Sequence, residues 1–235
     1  ASSYAGNTWR AAAMDELQKV IVPEWKKLGL ISDVVVTQSN LNDSTQIQQI
    51  RQLVDQGADA IILCCSNPTA LNASVTGYLT SEYAINSSVN YQVGGYEIGK
   101  AMADQLGGKG NVLVVEGIPG TSGSDSQNRG VLAGLKSAPD IKVVGSVAGM
   151  WTDQVAQGEV QKWLATNPGK LDGIVWQSAA EMGVLRAVQQ AGRGEIPVAI
   201  GGELGALCYW RKNPKYINAS YQLWPAADDI QLMWH

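Results

Sequence analysis

Short apolar runs alternate along this chain with longer stretches in which apolar residues recur at helical spacing. The runs, rich in β-branched residues, predict buried strands at 34–36, 60–65, 112–115, 141–147, 173–176, 197–200 and 217–223. The helical spacing predicts helices at 9–28, 47–54, 91–106, 127–137, 154–165, 179–190 and 204–212. This alternation is typical of βαβ units, so we predict an α/β fold of parallel sheets with helices on both faces.

Glycine, proline and capping residues refine these boundaries. Pro23 lies inside the first helical pattern and predicts a kink or an interruption there. Residues 40–44 offer caps for the second helix, and Gly57 is its predicted stop. Three glycines weaken the helical pattern at 91–106: Gly94, Gly95 and Gly99.

The stretch from Asn111 to Arg129 joins a buried strand to a polar loop. Val112–Val115 is followed by a Gly/Ser-rich segment, and a helical pattern begins only near Gln127. Ligands of open α/β sheets bind beyond the carboxyl ends of the strands. Hydroxyl, amide and guanidinium groups at that place predict hydrogen bonds to a polar ligand, although an ordinary strand-to-helix connection explains the loop equally well.

Polar and aromatic residues recur after the predicted strands. Amides, carboxylates and guanidinium groups suit bidentate hydrogen bonds with vicinal hydroxyls, and flat aromatic rings suit the apolar faces of a sugar or polyol. Their common placement therefore predicts a carbohydrate-like ligand. The candidates are Asn7, Trp9, Arg10, Asn67, Gln127, Arg129, Trp151, Gln177, Ser178, Glu203 and Gln222.

Each candidate also has an ordinary structural explanation. Core packing would explain Trp9 and Trp151, as it does for the three indoles that we assign to the core: Trp25, Trp163 and Trp176. Solvated helix starts would explain two cations: Arg10 and Arg129. Support of turn backbone or of a helix N-terminus would explain three more: Asn67, Glu203 and Gln222.

Composition narrows the class of protein. With 235 residues and 45% apolar residues, the chain can bury one large or two smaller cores. The formal charge of -4 and the pI near 5.0 argue against nucleic acid as a partner. No apolar run is long enough to span a membrane, and no signal-peptide pattern opens the chain, so we expect any signal peptide to have been removed.

Enzyme and metal signatures are largely missing from the sequence. His235 is the single histidine, and neither a nucleophile elbow nor a phosphate-binding glycine motif occurs. Three carboxylates have no spacing that fixes a catalytic pair, so solvated roles are favoured: Glu116, Asp125 and Asp153. The three cysteines are interpreted as small buried residues: Cys64, Cys65 and Cys208. We predict no catalysis, no cofactor and no metal.

Several motifs, in this order and spacing, resemble the type I periplasmic sugar-binding proteins of bacterial ABC importers, the ribose-binding-like family. They cover nearly the whole chain: residues 4–10, 56–63 with 67–69, 117–122, 180–187 with 192, 201–203 and 221–225. The resemblance implies two Rossmann-like lobes joined by a three-crossing hinge, residues 1–88 with 224–235 and residues 89–223. It also carries over most of the candidate ligand positions: Asn7, Trp9, Arg10, Gln127, Trp151, Ser178, Glu203 and Gln222.

By this resemblance the chain is a monomeric receptor that closes on a monosaccharide or sugar alcohol and delivers it to an ABC transporter permease. Its place would be periplasmic or extracellular, at the membrane through the transporter. The sequence departs from the family at Arg10, usually aromatic, at Gln127, often arginine, and at Glu203, one methylene longer than the usual acid. The family also implies segments before Ser3, between 71 and 72 and after His235, which we expect the natural protein to contain.

Two other classes of function remain open from the sequence. The effector domain of a sugar-responsive transcription repressor shares this fold, but would follow a DNA-binding helix-turn-helix. An α/β hydrolase or isomerase is disfavoured by the scarcity of histidine.

Overall fold

The computed structural model describes residues 2, 6, 8–63, 90–177, 180–199 and 204–213, without the side chains of 8, 9 and 204. The chain divides into two compact units, Ala1–Ser88 with Pro225–His235 and Val89–Trp224. The predicted strand at 217–223 and the vicinal cysteines lie outside the described residues. Within these ranges, no helix combines the length and the apolar character that a membrane crossing requires.

The described part of the first unit contains three α-helices and a π-helical turn. They are α1 (Thr8–Glu16), the turn Leu17–Ile21, α2 (Val22–Lys27) and α3 (Asp43–Asp55). The interruption predicted from Pro23 is confirmed, because the wide turn directly precedes it and the Val22 N–H donates to Leu17 O. The cap of α3 is also confirmed, since Asn42 Oδ1 accepts from the Thr45 N–H at 2.8 Å.

The two strands predicted for this unit are wrong within the described residues. Residues 34–36 and 60–63 form no strand, and Val35 is 58% exposed. A strand requires a hydrogen-bonded neighbour, and the described residues supply only a single bridge between Ser2 and Gln38. The β-branched composition of these runs therefore does not suffice to form a strand.

The described residues of the second unit form a three-stranded parallel sheet of order β2-β1-β3. Its strands are β1 (Lys109–Glu116), β2 (Asp140–Ala148) and β3 (Gly173–Trp176). The helices are α4 (Tyr91–Gln105), α5 (Ser122–Leu135), α6 (Asp153–Thr166), α7 (Glu181–Gln190) and α8 (Leu204–Lys212). All of these elements were predicted, with shifts at their ends.

Helices cover both faces of this sheet, as predicted. A β-carbon built on Gly173, the β3 partner of Val112, would lie 2.8 Å from Met102 Sδ of α4. Val115, three residues after Val112, points to the opposite face because side chains alternate along a strand. A β-carbon on Gly149 would lie 2.8 Å from Val115 Cγ1 and 3.2 Å from Ala156 Cβ of α6.

The predicted strand at 197–200 is reduced to one bridge in its described part. Val198 pairs with Ile174 of β3, and the Ile174 N–H donates to Pro197 O at 2.8 Å. Proline has no N–H to donate, which limits the ladder at this edge.

Helix α5 begins at Ser122, earlier than predicted. Its start is stabilised by two bonds, because Asp125 Oδ1 accepts from the Gly120 N–H at 3.0 Å and the Thr121 hydroxyl donates to Ile118 O at 2.8 Å. Gln127 and Arg129 therefore lie inside a longer helix and not at its start, where the sequence placed them. The poor helix propensity of Gly and Ser conceals this start.

Two of the three glycines that weaken the pattern of α4, Gly95 and Gly99, are required by its packing against α5. A β-carbon on Gly95 would overlap Gln127 O, and one on Gly99 would overlap Val131 O. The glycines of α5 show the same relation to the backbone of α4: Gly130 to Gln92 O and Gly134 to Tyr96 O. The two backbones thus lie in direct contact, at a distance that no larger residue allows.

Cys208 corrects one further prediction. It lies half-buried on α8 as a free cysteine, not fully buried as expected. A helix exposes part of its circumference, and an apolar pattern alone does not show which residues lie at the margin of the buried face.

Candidate functional site

The carboxyl ends of the three strands lie side by side at one edge of the sheet. Glu116 of β1 pairs with Ala148 of β2, and Val115 pairs with Trp176 of β3. The residues that directly follow β1, β2 and β3 are Gly117, Gly149 and Gln177, respectively. This edge is where parallel α/β sheets bind ligands.

A tight turn of residues 149–152 connects β2 to α6 and is tied to the end of β1. The Gly149 N–H donates to Glu116 O at 2.8 Å, and the Met150 N–H donates to Gly117 O at 3.1 Å. Met150 and Trp151 both adopt left-handed backbone, with φ of 56° and 54°. Each such residue costs about 1–2 kcal/mol, so the contacts with β1 must stabilise the turn.

The indole of Trp151 lies against Gly117. A β-carbon on Gly117 would overlap the indole Nε1 and would lie 2.8 Å from Gln177 Oε1. At its other end, Trp151 Cη2 is 3.9 Å from the β-carbon position of Gly123, and the Tyr91 ring is 3.7 Å from the same position. Trp151 is half-buried and is not part of the described core, so it offers an aromatic surface beside a second ring.

A buried amide completes this edge. Gln177 Oε1 accepts from the Gly117 N–H and from the Ser124 hydroxyl, both at 2.9 Å, and Gln177 Nε2 donates to Ser124 O at 3.0 Å. Ser124 and Gln177 are each 1% exposed. The network holds the loop after β1 with neutral groups only.

The three carboxylates do not form a catalytic pair. Glu116 accepts from the Ser146 hydroxyl, and Asp125 caps the loop at Gly120. Asp153 Oδ1 accepts from the Gly183 N–H at 2.8 Å, while Oδ2 lies 3.2 Å from Arg186. Each therefore has its own structural partner, and the bonds of Glu116 and Asp125 lie at exposed positions. Within the described ranges, no cluster of His, Cys, Asp and Glu could hold a metal ion.

A charged contact lies at the opposite end of β1. Asp172 Oδ2 accepts from the Asn111 N–H at 2.9 Å, and Oδ1 lies 2.6 Å from Lys170 Nζ. The Lys170 ammonium, with the Asn111 N–H, lowers the pKa of Asp172 against the opposing effect of burial. This side chain therefore stabilises the fold above the pKa of an unfolded aspartate, and the contribution is lost as the pH falls through the lowered value.

The predicted site residues have different locations. Trp151 lies at the strand ends as expected. Gln127 is 1% exposed on α5, and its Nε2 has no partner in the part of the chain that is described. Arg129 is exposed on α5, Arg10 is half-buried on α1, and Trp9 belongs to α1 with its side chain outside the description. The remaining candidates lie outside the described residues: Asn7, Asn67, Ser178, Glu203 and Gln222.

Sequence reasoning missed two residues of this edge. Tyr91 begins α4 far from the loop in sequence, and only the folded chain brings it beside Trp151. Ser124 had a detectable signal, since it belongs to the polar segment after β1, but its bond to Gln177 depends on the start of α5.

Comparison with known proteins identifies related chains. The family profile described as periplasmic binding protein domain matches residues 1–213. A xylitol-binding protein of Mycolicibacterium smegmatis is 29% identical over 181 residues, which are 71% of this chain and 52% of that protein. A galactofuranose-binding protein of Escherichia coli is 26% identical over 205 residues, 78% of this chain and 63% of the relative. The chain thus spans between half and two thirds of these relatives.

A solved structure extends the likeness to the fold. The ABC transporter solute binding protein from Thermobispora bispora superposes with a TM-score of 0.86 at 25% identity, over 99% of this chain and 76% of that protein. The predicted parallel α/β fold is confirmed by this likeness together with the observed sheet. The two named relatives and the Thermobispora bispora protein are all described as binding proteins.

Proposed function

The chain belongs to the periplasmic binding protein domain family, and we propose that it binds a monosaccharide or sugar alcohol and delivers it to an ABC transporter permease. The ligand would lie in the cleft between two lobes, residues 1–88 with 224–235 and residues 89–223. Closure of the lobes would expel water from the ligand, and the closed form would be the one that the permease recognises.

The observation that carries this proposal is the placement of Trp151. Its half-buried indole lies at the carboxyl edge of a parallel sheet, against Gly117 and beside Tyr91. An exposed aromatic face suits the C–H groups of a sugar or polyol, and the polar groups of the same molecule need hydrogen-bonding partners around it. The names of the two relatives, one for a sugar alcohol and one for a sugar, agree with that chemistry.

The other ligand contacts are proposed from the family resemblance or, for Asn67 and Arg129, from their place after predicted strands. Arg10 and Trp9 of α1 and Gln127 and Arg129 of α5 belong to this set. The set is completed by Asn7, Asn67, Ser178, Glu203 and Gln222. Gln127 has one structural argument of its own, because its buried amide nitrogen has no partner among the described residues, which is costly, and a ligand hydroxyl would satisfy it.

Ligand titration tests the proposed function. The 235-residue chain is titrated with pentoses, hexoses and sugar alcohols, including xylitol and myo-inositol. The free energy of unfolding and the heat of binding are measured for each. A ligand at about 100 times its dissociation constant should add about 2.7 kcal/mol to the free energy of unfolding. Absence of any shift across the panel would contradict the proposal.

A pair of tryptophan variants locates the binding surface. Trp151→Ala should abolish the ligand-dependent gain in the free energy of unfolding. Trp163→Ala is the matched control, because the Trp163 indole also lies against a glycine, Gly145, but packs at the core. Equal affinity in Trp151→Ala and the unmodified chain would remove Trp151 from the site.

A further inference from the structure

The side chain of Gln177 joins the loop after β1 to the first turn of α5, and its backbone joins β3 to β1. Its backbone N–H donates to Val115 O at 3.0 Å, which continues the ladder between β3 and β1. Its amide then binds Gly117 in the loop after β1 and Ser124 in the first turn of α5. A single buried residue therefore links β3, the loop after β1 and a helix.

Gly117, which Gln177 holds, is also the surface on which Trp151 rests. The indole nitrogen lies against the Gly117 α-carbon, and the Met150 N–H donates to Gly117 O at 3.1 Å. The turn that carries Trp151 thus contacts the loop at the residue that the Gln177 amide binds. A shift of Gly117 would move both the turn and the indole.

We propose that Gln177 is a positioning residue that sets the orientation of the Trp151 indole for contact with ligand. The ligand half of this inference rests on the proposed function, whereas the orientation of Trp151 does not. An apolar side chain of similar length would leave the Gly117 N–H and the Ser124 hydroxyl buried without their acceptor, which destabilises this part of the fold. The loop would relax, and the indole would lose its fixed seat.

Asp172 provides a matched control for this role. It directly precedes β3 as Gln177 directly follows it, and its Oδ2 accepts from a β1 backbone N–H, that of Asn111, at the same distance of 2.9 Å. The contact lies at the other end of the strand. Asp172→Ala therefore removes a comparable bond from β1 without touching the seat of Trp151.

The experiment isolates the Trp151 signal by subtraction. Three variants are prepared, each with Trp151 and with Trp151→Phe: Gln177→Met, Ser124→Ala and Asp172→Ala. The fluorescence of each Trp151→Phe protein is subtracted from that of its Trp151 counterpart, and acrylamide quenching of the difference is measured. Amide hydrogen exchange at Gly117 and xylitol affinity are recorded on the same proteins. Ser124→Ala keeps the bond between Gln177 and Gly117, so its Trp151 quenching should match that of the unmodified chain.

Gln177→Met should accelerate exchange at Gly117 by about ten- to hundredfold and weaken xylitol binding by about tenfold or more. Its Trp151 quenching should rise, whereas Asp172→Ala should leave quenching and affinity unchanged. Unaltered Trp151 quenching in folded Gln177→Met would overturn the inference. If Gln177→Met does not fold, hydrogen exchange in the unmodified chain still tests the inference. Rapid exchange of the Gly117 amide there would overturn the inference, because the bond to Gln177 should protect that amide.

The two proposals fail in different ways. If xylitol and the rest of the panel do not bind the unmodified chain, the proposed function is contradicted. The quenching result still decides whether Gln177 orients Trp151, because it requires no ligand.

Discussion

Two helices of this protein are preceded by turns of the same type, and these two turns are stabilised differently. Residues 39–42 lead into α3 and residues 149–152 lead into α6. In each, the fourth residue donates to the first, Asn42 to Ser39 O at 3.0 Å and Thr152 to Gly149 O at 3.1 Å. In each, the two central residues are left-handed and are not glycine: Asn40 and Leu41, Met150 and Trp151.

The difference lies in what offsets the backbone strain. The first turn carries its own cap, Asn42, which accepts from the Thr45 N–H. The second has no side-chain cap, and the Thr152 hydroxyl is buried without a partner among the described residues. It is held instead by Gly117 of the neighbouring loop. A strained turn stabilised from outside can present a large ring, and its geometry depends on whatever fixes the outside contact.

The largest expected effect comes from removing that outside contact. Gly117→Ala should lower the free energy of unfolding by about 2–3 kcal/mol, because its β-carbon would displace the Trp151 indole from a packed site. Urea denaturation measures this loss. Gly158→Ala in α6 is the control, since nothing lies within 4 Å of its β-carbon position, and it should gain about 0.5–1 kcal/mol. Equal stability of the two variants would contradict the comparison.

The next largest effect is expected at Asp172, whose contribution to the free energy of unfolding depends on pH. Asp172→Ala should cost about 1.5 kcal/mol at neutral pH, because the Asn111 N–H loses a charged acceptor. The lowered pKa of Asp172 means that the unmodified chain loses this advantage as the pH falls below about 4. Stability curves of the two proteins should therefore converge in acid, and parallel curves would argue against the charge.

The caps distinguish the two turns directly. Asn42→Ala should cost about 1 kcal/mol, because an N–H of α3 loses its acceptor. Thr152→Ala should change stability by less than about 0.5 kcal/mol, since the hydroxyl that it removes makes no bond in the described structure. The urea midpoints of the two variants measure these losses, provided that the slope of the free energy of unfolding against urea concentration is unchanged. An equal loss in the two variants would show that Thr152 caps α6.

The smallest effect comes from relieving the backbone. Met150→Gly should stabilise by about 0.5–1 kcal/mol, the left-handed strain less the flexibility that glycine adds to the unfolded chain. Asn40→Gly should be close to neutral, because asparagine tolerates this conformation better than methionine does. A larger gain at Asn40 would reverse the assignment of strain.

The sequence predicted the second unit better than the first for a physical reason. Runs such as Val112–Val115 are buried on both faces and pair on both edges, so apolar character and strand formation coincide there. Residues 34–36 carry the same character but have no paired neighbours among the described residues, and the prediction was wrong there. The type I periplasmic binding protein fold was predicted correctly because its strand and helix order survives such local errors.

The candidate site was predictable only where position along a strand decides it. Trp151 belongs to the short turn that follows β2, so its place at the carboxyl edge of the sheet could be foreseen. Tyr91 and Ser124 reach the same edge through contacts between distant segments, which periodicity does not record. The start of α5 was missed because loop contacts at Asp125 and Thr121 outweigh the low propensity of its Gly/Ser sequence.

The direct backbone contact between α4 and α5 has a consequence for following the protein in motion. Helices separated by side chains can shift when rotamers change, but two that touch at Gly95 and Gly130 have no such cushion. The pair should travel as one stiff body. A dye attached at Val93, an exposed position on α4, would therefore report the movement of both helices from a single label.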